Sequence, residues 1–573
     1  MTIGRALSCY ATLVVALTCS ILVLAKPPAK DKDKDKEKDN NSEVTFTART
    51  ELVLIPTLVT DKSGNHISGL KKEDFRVLEN GAEQKIATFE EITSDTHRLS
   101  RSRNPNEFSN SLASGPSARR MTLIVLDLIN TPFVDQAYAR KDLLKYLTQS
   151  VDQREPTALY TLTRSGIHVI HDFATDPRVL AAALHKVKGD TSQIVDSPED
   201  VEAITGSASP DGSAGVDPGA VQSEAQQIQT MMEDSELNFQ SFQQRLAITY
   251  TLQAMQQVAQ ALAGFPGRKS LIWASGGFPF SVSDNTMQLA PAGRDSLTDV
   301  LPMYEHTWQL LNDAQIALYP VDVRGLQVST TPSAAIRNPG RNYGRNMSWR
   351  RMDTQSTLQT FASMTGGRAY YNSNDLVKGF RDAAHDSAEY YMLGYYLDRS
   401  KTKAGWRKLA VKVKRDHVEV RARSGFFVTN ATVDDTRTSD ISSALQSPLD
   451  YTSLALVVRW DKIEPSKEAG KKRVNYGMHL APDAALINEA ESNHFVIDFV
   501  ALAKTPEGKT VDHPVGQQIE AHLTPEKLAA LRQNGIAYNG ALDLAPGEYT
   551  VRFVVRDDLS GRIGSVAASL KVE

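Results

Sequence analysis

The chain has 573 residues, which is too long for one ordinary domain, so we expect several units of roughly 100 to 200 residues each. Hydrophobic residues make up 41% and charged residues 23%, and these ordinary values exclude a wholly disordered chain. Lys and Arg number 64 against 68 Asp and Glu, and the net charge of -4 argues against a nucleic-acid-binding protein, which would be basic.

Residues 1–25 have the pattern of a secretory signal. Arg5 precedes an apolar run from Ala11 to Ala25, and the run ends in small or apolar residues of the kind that precede a cleavage site. The signal predicts a secreted protein or one of the periplasm or cell envelope, with no other contact to a membrane. Because the run nearly reaches the length of a membrane span, cleavage and retention as an anchor both stay open. Both cysteines lie within the signal, so a cleaved chain has no disulfide.

Two short units are predicted next. Residues 26–43 alternate lysine with acidic residues and lack large apolar side chains, which predicts a charged disordered linker. In residues 44–95 apolar and polar residues alternate in short stretches, and Asn80 and Gly81 form a hairpin signal. This second stretch predicts a small β module.

Residues 118–427 are predicted to form an α/β domain. Three fully apolar runs suit strands that are buried on both faces of a parallel sheet, namely Met121–Leu126, Ser270–Ala274 and Ile316–Val323. Helical segments separate these runs, and that alternation predicts a doubly wound, mostly parallel sheet. We expect a polar surface insertion at about 188–234 and a β extension at about 390–427.

The last part of the chain predicts a linker and a further domain. Residues 428–450 are rich in Thr, Ser and Asp, which is typical of a linker. Residues 451–573 contain alternating strands at a regular spacing, and this pattern predicts a β-sandwich. The predicted fold class is therefore α/β, a doubly wound, mostly parallel sheet flanked by a small N-terminal β module and a C-terminal β-sandwich.

Six segments carry a family resemblance: LKKEDFRVLENGAEQKIATFEEI (Leu70–Ile92), LIVLDLINT (Leu123–Thr131), GFPGRKSLIWASGGF (Gly264–Phe278), ALYPVDVRGL (Ala317–Leu326), TGGRAYYN (Thr365–Asn372) and YYMLGYY (Tyr390–Tyr396). In this order they resemble the von Willebrand factor A domain, and more narrowly the VWFA-related secreted proteins of the acidobacterial type. The resemblance implies a von Willebrand A-like domain over residues 118–427.

The carboxyl ends of parallel strands meet at one edge of an open α/β sheet, where ligands commonly bind. In this chain the predicted strand ends carry Asp127, Ser275 and Asp322, and we expect these residues to bind a partner. The resemblance also implies a metal-ion-dependent adhesion site at this edge, with oxygen ligands for Mg²⁺ or Ca²⁺. Asp127 and Thr131 match that pattern, whereas Ile129 stands in the place of a coordinating hydroxyl.

The predicted metal site is therefore degenerate. A second carboxylate of the pattern is also missing, because Ser275 precedes Gly276 where the family has an Asp. The candidate metal ligands that remain are Asp127, Asn130, Thr131 and Asp322. A structural alternative stays open, in which Asp127 caps the turn that follows it and Asp322 pairs with Arg324.

A serine hydrolase is the competing class. Ser275, Asp322 and His385 occur in the chain order of an α/β-hydrolase triad. Trp273, however, stands where the sharp turn around a nucleophile needs a small residue, which disfavours catalysis.

The sequence thus predicts a secreted, noncatalytic binding or adhesion protein. Its strand-end loops would recognise a protein or cell-surface partner, with Mg²⁺ or Ca²⁺ completing the contact through a carboxylate of the partner. No other cofactor is predicted, and the sequence indicates no oligomeric state. A structural envelope component with a vestigial site is the third reading.

Overall fold

The computed structural model describes residues 50–93, 106–111, 121–151, 155–187, 218–283, 286–288, 297–326, 355–386, 389–398, 402–428, 433–483, 486 and 493–573. The predicted signal, the predicted charged linker and residues 188–217 of the predicted insertion lie outside these ranges. Within them, no helix combines the length and the hydrophobicity that crossing a membrane requires.

The strands, in chain order, are β1 (Thr50–Thr60), β2 (Phe75–Glu79), β3 (Ala82–Gln84), β4 (Thr88–Ile92), β5 (Glu107–Ser109), β6 (Met121–Asp127), β7 (Thr157–Thr163), β8 (Gly166–Ala174), β9 (Lys269–Ser275), β10 (Ser281–Ser283), β11 (Thr286–Gln288), β12 (Ile316–Asp322), β13 (Tyr390–Asp398), β14 (Gly405–Val413), β15 (Glu419–Arg421), β16 (Gly425–Val428), β17 (Leu456–Pro465), β18 (Lys472–Leu480), β19 (His494–Lys504), β20 (Thr510–His522), β21 (Ile536–Leu544), β22 (Gly547–Asp557) and β23 (Ile563–Val572). The α-helices are α1 (Phe133–Gln149), α2 (Pro177–Leu184), α3 (Pro218–Leu262), α4 (Leu297–Asp313), α5 (355–365), α6 (Leu376–His385), α7 (Val433–Gln446) and α8 (Pro525–Asn534).

A five-stranded sheet with the order β12-β9-β6-β7-β8 carries the predicted strand ends. Its first four strands are parallel, and β8 is antiparallel to β7. Strands β6, β9 and β12 are buried along their whole length, because helices cover both faces of the sheet. Residues of α3, α4 and α5 form the core on one face, and residues of α1, α2 and α6 form it on the other.

The predicted fold class is wrong for this chain. Strand residues outnumber helical residues in the described ranges, and the sheets there are mostly antiparallel. Among the strands of the described ranges, parallel pairing is confined to β6, β7, β9 and β12. The apolar runs that suggested parallel strands do form them, but the short alternating segments on both sides contribute many more strands, so the chain is mostly β.

The N-terminal strands pair with strands from far along the chain. Strand β1 lies between β13 and β15, and β4 lies on the other side of β13. Strand β2 pairs with both β3 and β14. One core joins these strands and includes Val53, Phe75, Tyr391 and Phe426. The stretches predicted as a separate N-terminal module and as a β extension therefore form one structure.

The C-terminal part contains two four-stranded antiparallel sheets around a shared core. One sheet has the order β21-β18-β17-β5, and the other has the order β20-β19-β22-β23. Strand β5 comes from the segment before the parallel sheet, so the chain contributes to this part at two places. Helix α7, which lies within the predicted linker, packs against β22 and β23.

Candidate functional site

The predicted strand-end residues are neighbours at the carboxyl edge of the parallel sheet. Asp127 ends β6, Ser275 ends β9 and Asp322 ends β12. Asp322 and Ser275 are register partners, and Val323 donates a backbone hydrogen bond to the Ser275 carbonyl oxygen at 3.1 Å. The apolar strands thus bring together at this edge the residues that the sequence singles out.

Asp127 is the centre of a closed hydrogen-bond network. Its side chain is 1% exposed, and its Oδ1 accepts from the backbone N–H of Asn130 at 3.0 Å. Its Oδ2 lies near three side-chain donors, Asn130 Nδ2 at 2.8 Å, Trp273 Nε1 at 3.0 Å and Ser275 Oγ at 3.0 Å. Burial raises the pKa of Asp127, whereas the hydrogen bonds from Asn130, Trp273 and Ser275 act to lower it. Both carboxylate oxygens are therefore engaged inside the protein.

The loop after Asp127 is fixed by further hydrogen bonds. Thr131 Oγ1 donates to the Asp127 carbonyl oxygen at 2.5 Å and accepts from the Gly276 N–H at 2.9 Å. Asn130 Nδ2 also donates to Thr251 Oγ1 on α3 at 2.8 Å. A Cβ on Gly276 would lie 2.9 Å from the Asn130 carbonyl oxygen, so the two loops approach too closely for a side chain there. The edge is consequently rigid at Asp127, Asn130 and Thr131, all of which are buried.

Asp322 has a different partner. Its carboxylate accepts from Arg324 Nε at 2.9 Å, from Arg324 Nη2 at 2.7 Å and from the Arg324 backbone N–H at 3.1 Å. No hydrogen bond in the described residues joins Asp322 to Asp127. The structure therefore brings Asp127, Asn130, Thr131 and Ser275 into one network and leaves Asp322 beside it with its own counter-ion.

These four candidate ligands do not fit a divalent cation as they are arranged. Such a cation needs several oxygen atoms that are free to turn towards it, whereas Asp127 and Asp322 are already saturated by donors. Asn130 Oδ1 is a buried oxygen without a hydrogen-bond partner, but it is a single ligand. Among the described residues, no three His, Cys, Asp or Glu side chains are grouped as metal ligands would be. The Mg²⁺ or Ca²⁺ site stays a prediction.

Ser275 and His385 of the alternative triad lie at opposite edges of the sheet, although Asp322 lies beside Ser275. Ser275 is fully buried at the carboxyl end of β9, and its hydroxyl oxygen lies 2.5 Å from the Gly277 carbonyl oxygen. His385 ends α6, and the carbonyl oxygen of the next residue, Asp386, accepts from Arg268, which precedes β9. A strand of seven residues, roughly 20 Å long, separates Arg268 from Ser275. The geometry therefore does not assemble Ser275 with His385.

An exposed apolar cluster lies next to the buried network, and the sequence analysis did not identify it. Phe133, Val134 and Tyr138 at the start of α1 are 54%, 65% and 59% exposed. Leu326, four residues after the end of β12, is a further exposed apolar residue outside this cluster. The buried residues of α1 fall on the opposite face, at Gln136, Ala139, Leu143, Tyr146 and Leu147. Helical periodicity was the signal that could have found the cluster, because Phe133, Val134 and Tyr138 are out of phase with the core positions.

Comparisons with known proteins give little guidance. No family model matches the chain, and no curated protein matches it. One similar solved structure is the TFIIH p34 N-terminal domain, with 10% sequence identity and a TM-score of 0.18, over 46% of this chain and 96% of that chain. Another is the ArnB paralog VWA2 from Sulfolobus acidocaldarius, with 8% identity and a TM-score of 0.19, over 87% of this chain and 76% of that one. At these TM-scores neither likeness decides the fold.

Proposed function

We propose that this chain is a noncatalytic binding protein that recognises a protein partner at the carboxyl edge of its parallel sheet. The observation that carries the proposal is the exposed apolar cluster formed by Phe133, Val134 and Tyr138 at the start of α1. Large side chains that are exposed together, next to a rigid edge, are typical of surfaces that bind other proteins.

The buried network supports this proposal by its position. Asp127, Asn130 and Thr131 fix the loop that leads directly into α1, so the loop presents Phe133 and Val134 without needing to become ordered on binding. A surface that is already ordered loses less conformational entropy when it binds a partner. In this proposal Asp127 and Ser275 act as supports of the surface, while Asp322 holds the neighbouring loop through Arg324.

Two further parts of the proposal rest on sequence. Export to the outside of the cell or to the envelope follows from Arg5 and the apolar run after it. Kinship with the VWFA-related secreted proteins of the acidobacterial type rests on the six segments quoted above. A structural envelope component and a Ser275 hydrolase are the competing functions, and the burial of Ser275 supports neither nucleophilic attack nor substrate access.

Site-specific photo-cross-linking tests the proposed surface. A photoreactive phenylalanine analogue at Val134 is expected to form cross-links to another protein in intact cells, because this side chain is the most exposed of the cluster. The additional substitution Phe133→Asp is expected to reduce the cross-link yield about tenfold, since a charge would then be desolvated at the interface.

The matched control places the same analogue at Ile463, an apolar residue of β17 that is 45% exposed and lies in the C-terminal part. Equal cross-linking at Val134 and Ile463 would show that the cluster is not selective. Cross-links from Val134 only to the same chain would show that the protein covers this surface itself. Either result contradicts the proposed function.

A further inference from the structure

The exposed face of α1 carries positive charge beyond the apolar cluster. Val134 and Tyr138 are followed along the helix by Lys141 and Lys145, and all four side chains are exposed. The core positions of α1 fall on the opposite side of the helix. One face of α1 is therefore apolar near its start and cationic further on.

The spacing of these four residues suits contact with another helix. Val134, Tyr138, Lys141 and Lys145 are separated by four, three and four positions, so their side chains form one row along α1. At a rise of about 1.5 Å per residue, this row is roughly 16 Å long. A second helix that packs along α1 would contact all four positions.

Neither lysine is paired within the described part of the chain. No ion pair joins Lys141 or Lys145 to another described residue. The two acidic residues of α1, Asp135 and Asp142, are half-buried at the margin of the face, whereas both lysines are exposed. The other cation of the helix, Arg140, points elsewhere, since its Nη1 donates to a backbone carbonyl oxygen beyond the end of α2 at 2.9 Å.

The helices beside α1 do not supply acceptors for these lysines. Helices α2 and α6 both pack against α1. Their acidic residues already have partners, namely Asp176 with Arg178, Asp375 with the Lys378 N–H, Asp382 with Lys378 and Asp386 with Arg421. The face of α1 therefore offers two positive charges to a partner that carries negative ones.

A membrane surface fits this face less well than a protein does. A helix that lies in a membrane interface keeps its lysines on a polar face, away from the apolar face that enters the lipid. In α1, Lys141 and Lys145 lie in the same row as Val134 and Tyr138. Insertion of the apolar side chains would therefore bring both lysines towards the hydrocarbon layer.

We infer that the partner at this face is an acidic amphipathic helix of another protein. Its apolar residues cover Phe133, Val134 and Tyr138, and its carboxylates reach Lys141 and Lys145. This inference rests on the proposed function, because it describes the partner of that same surface. The apolar contacts supply most of the affinity, while the exposed ion pairs select an acidic partner and repel a basic one.

Photo-cross-linking with model peptides tests the inference. The whole chain carries the photoreactive phenylalanine analogue at Val134, and the probes are fluorescent, alanine-based peptides of about 18 residues, a length that permits helix formation. Each peptide has leucines in one half and glutamates, glutamines or lysines in the other. The glutamate peptide is expected to cross-link about tenfold more than the lysine peptide, and the difference should shrink at about 1 M salt, which screens exposed charges.

Charge reversal in the protein is the sharper test. With Lys141→Glu and Lys145→Glu combined, the lysine peptide is expected to cross-link more than the glutamate peptide. Lys408→Glu combined with Lys412→Glu is the matched control, because it makes the same change in net charge at two exposed lysines of β14 and should retain the original preference.

Thermal unfolding of each double variant shows whether the protein is still folded. Should the charge-reversed variant not fold, Lys141→Gln combined with Lys145→Gln keeps good helix-forming residues and is expected to abolish the preference for the glutamate peptide.

Three results would overturn the inference. The first is equal cross-linking of the glutamate and lysine peptides to the wild type, and the second is an unchanged preference in folded Lys141 and Lys145 variants. The third is sedimentation with phosphatidylglycerol vesicles that is lost in the charge-reversed variant, which would identify a lipid surface instead.

The same variants separate this inference from the proposed function. A protein that still cross-links at Val134 in intact cells, undiminished by Lys141→Glu with Lys145→Glu, would leave the proposed function intact while this inference fails. Absence of any cross-linked protein in cells would contradict the proposed function itself.

Discussion

The buried network at the carboxyl edge of the parallel sheet and the exposed start of α1 are consecutive in the chain, but they differ in how completely their side chains are covered. At the edge, the two oxygens of Asp127 are surrounded by donors and the side chain is 1% exposed. At the start of α1, Phe133, Val134 and Tyr138 are each more than half exposed. A saturated network stabilises the fold and leaves nothing for a ligand, whereas exposed apolar side chains can still bind a partner. Candidate residues should therefore be judged by their exposure and by their existing partners as well as by their position.

The largest expected effect concerns the edge. Asp127→Ala leaves Trp273 Nε1, Ser275 Oγ and Asn130 Nδ2 without their common acceptor in a buried place, and we expect the free energy of unfolding to fall by about 3 to 5 kcal/mol. Urea unfolding of the wild type and the variant measures this loss. Asp176→Ala serves as the control, because it removes an exposed helix-capping carboxylate and should cost only about 1 kcal/mol. Equal losses in the two variants would show that the edge network is not a main support of the fold.

An intermediate effect is expected where the end of α3 contacts the C-terminal part. In Gly264→Ala the new methyl group would lie about 2.0 Å from the Thr452 carbonyl oxygen, so the two segments would have to move apart. We expect a loss of about 1 to 3 kcal/mol in the free energy of unfolding, which urea unfolding measures. Gly477→Ala in β18 is the control, since its nearest atom would be a side-chain oxygen at 3.3 Å. If Gly264→Ala unfolds like the wild type, the close contact between Gly264 and Thr452 does not stabilise the fold.

The smallest effect is expected from metal ions. Because the oxygens of Asp127 and Asp322 are already paired, added Mg²⁺ or Ca²⁺ should leave the melting temperature unchanged, and a chelator should do the same. Differential scanning calorimetry with each ion measures this directly. A saturable rise in the melting temperature that disappears in Asp127→Asn would instead support the adhesion-type metal site. The Asp127 carboxylate would then be accessible to a metal ion.

The parts of the fold that depend on local patterns could be predicted. The apolar runs at 121–126, 270–274 and 316–323 nearly coincide with β6, β9 and β12, because a strand buried on both faces needs apolar residues throughout. Asp176 followed by Pro177 is a local pattern that favours the start of a helix, and Asp176 does cap α2, its carboxylate accepting from the Arg178 N–H at 2.9 Å. The approach of Asp127 and Ser275 also followed from parallel pairing alone.

What the sequence could not provide was pairing over long distances. The predicted fold class was wrong because the short alternating segments did not indicate how many antiparallel sheets they form. Two examples are the register of β1 with β13 and the hydrogen bond between Gly264 and Thr452. In both cases the residues near either partner in the sequence do not indicate which distant segment it contacts. One donor to Asp127 was also missed. Trp273 counted in the sequence only as an obstacle to catalysis, whereas its Nε1 donates to the Asp127 carboxylate.

The pairing of β1 with β13 also affects when the N-terminal strands can fold during synthesis. Thr50 lies opposite Asp398, and Thr57 lies opposite Tyr391. Strand β1 therefore cannot pair with β13 until several hundred further residues have been synthesised. Until then its backbone N–H and C=O groups on that side are unpaired, which is a state prone to aggregation. A ribosome-bound chain that stops before Tyr390 should therefore recruit chaperones through its N-terminal strands, and release of the finished chain should end that interaction.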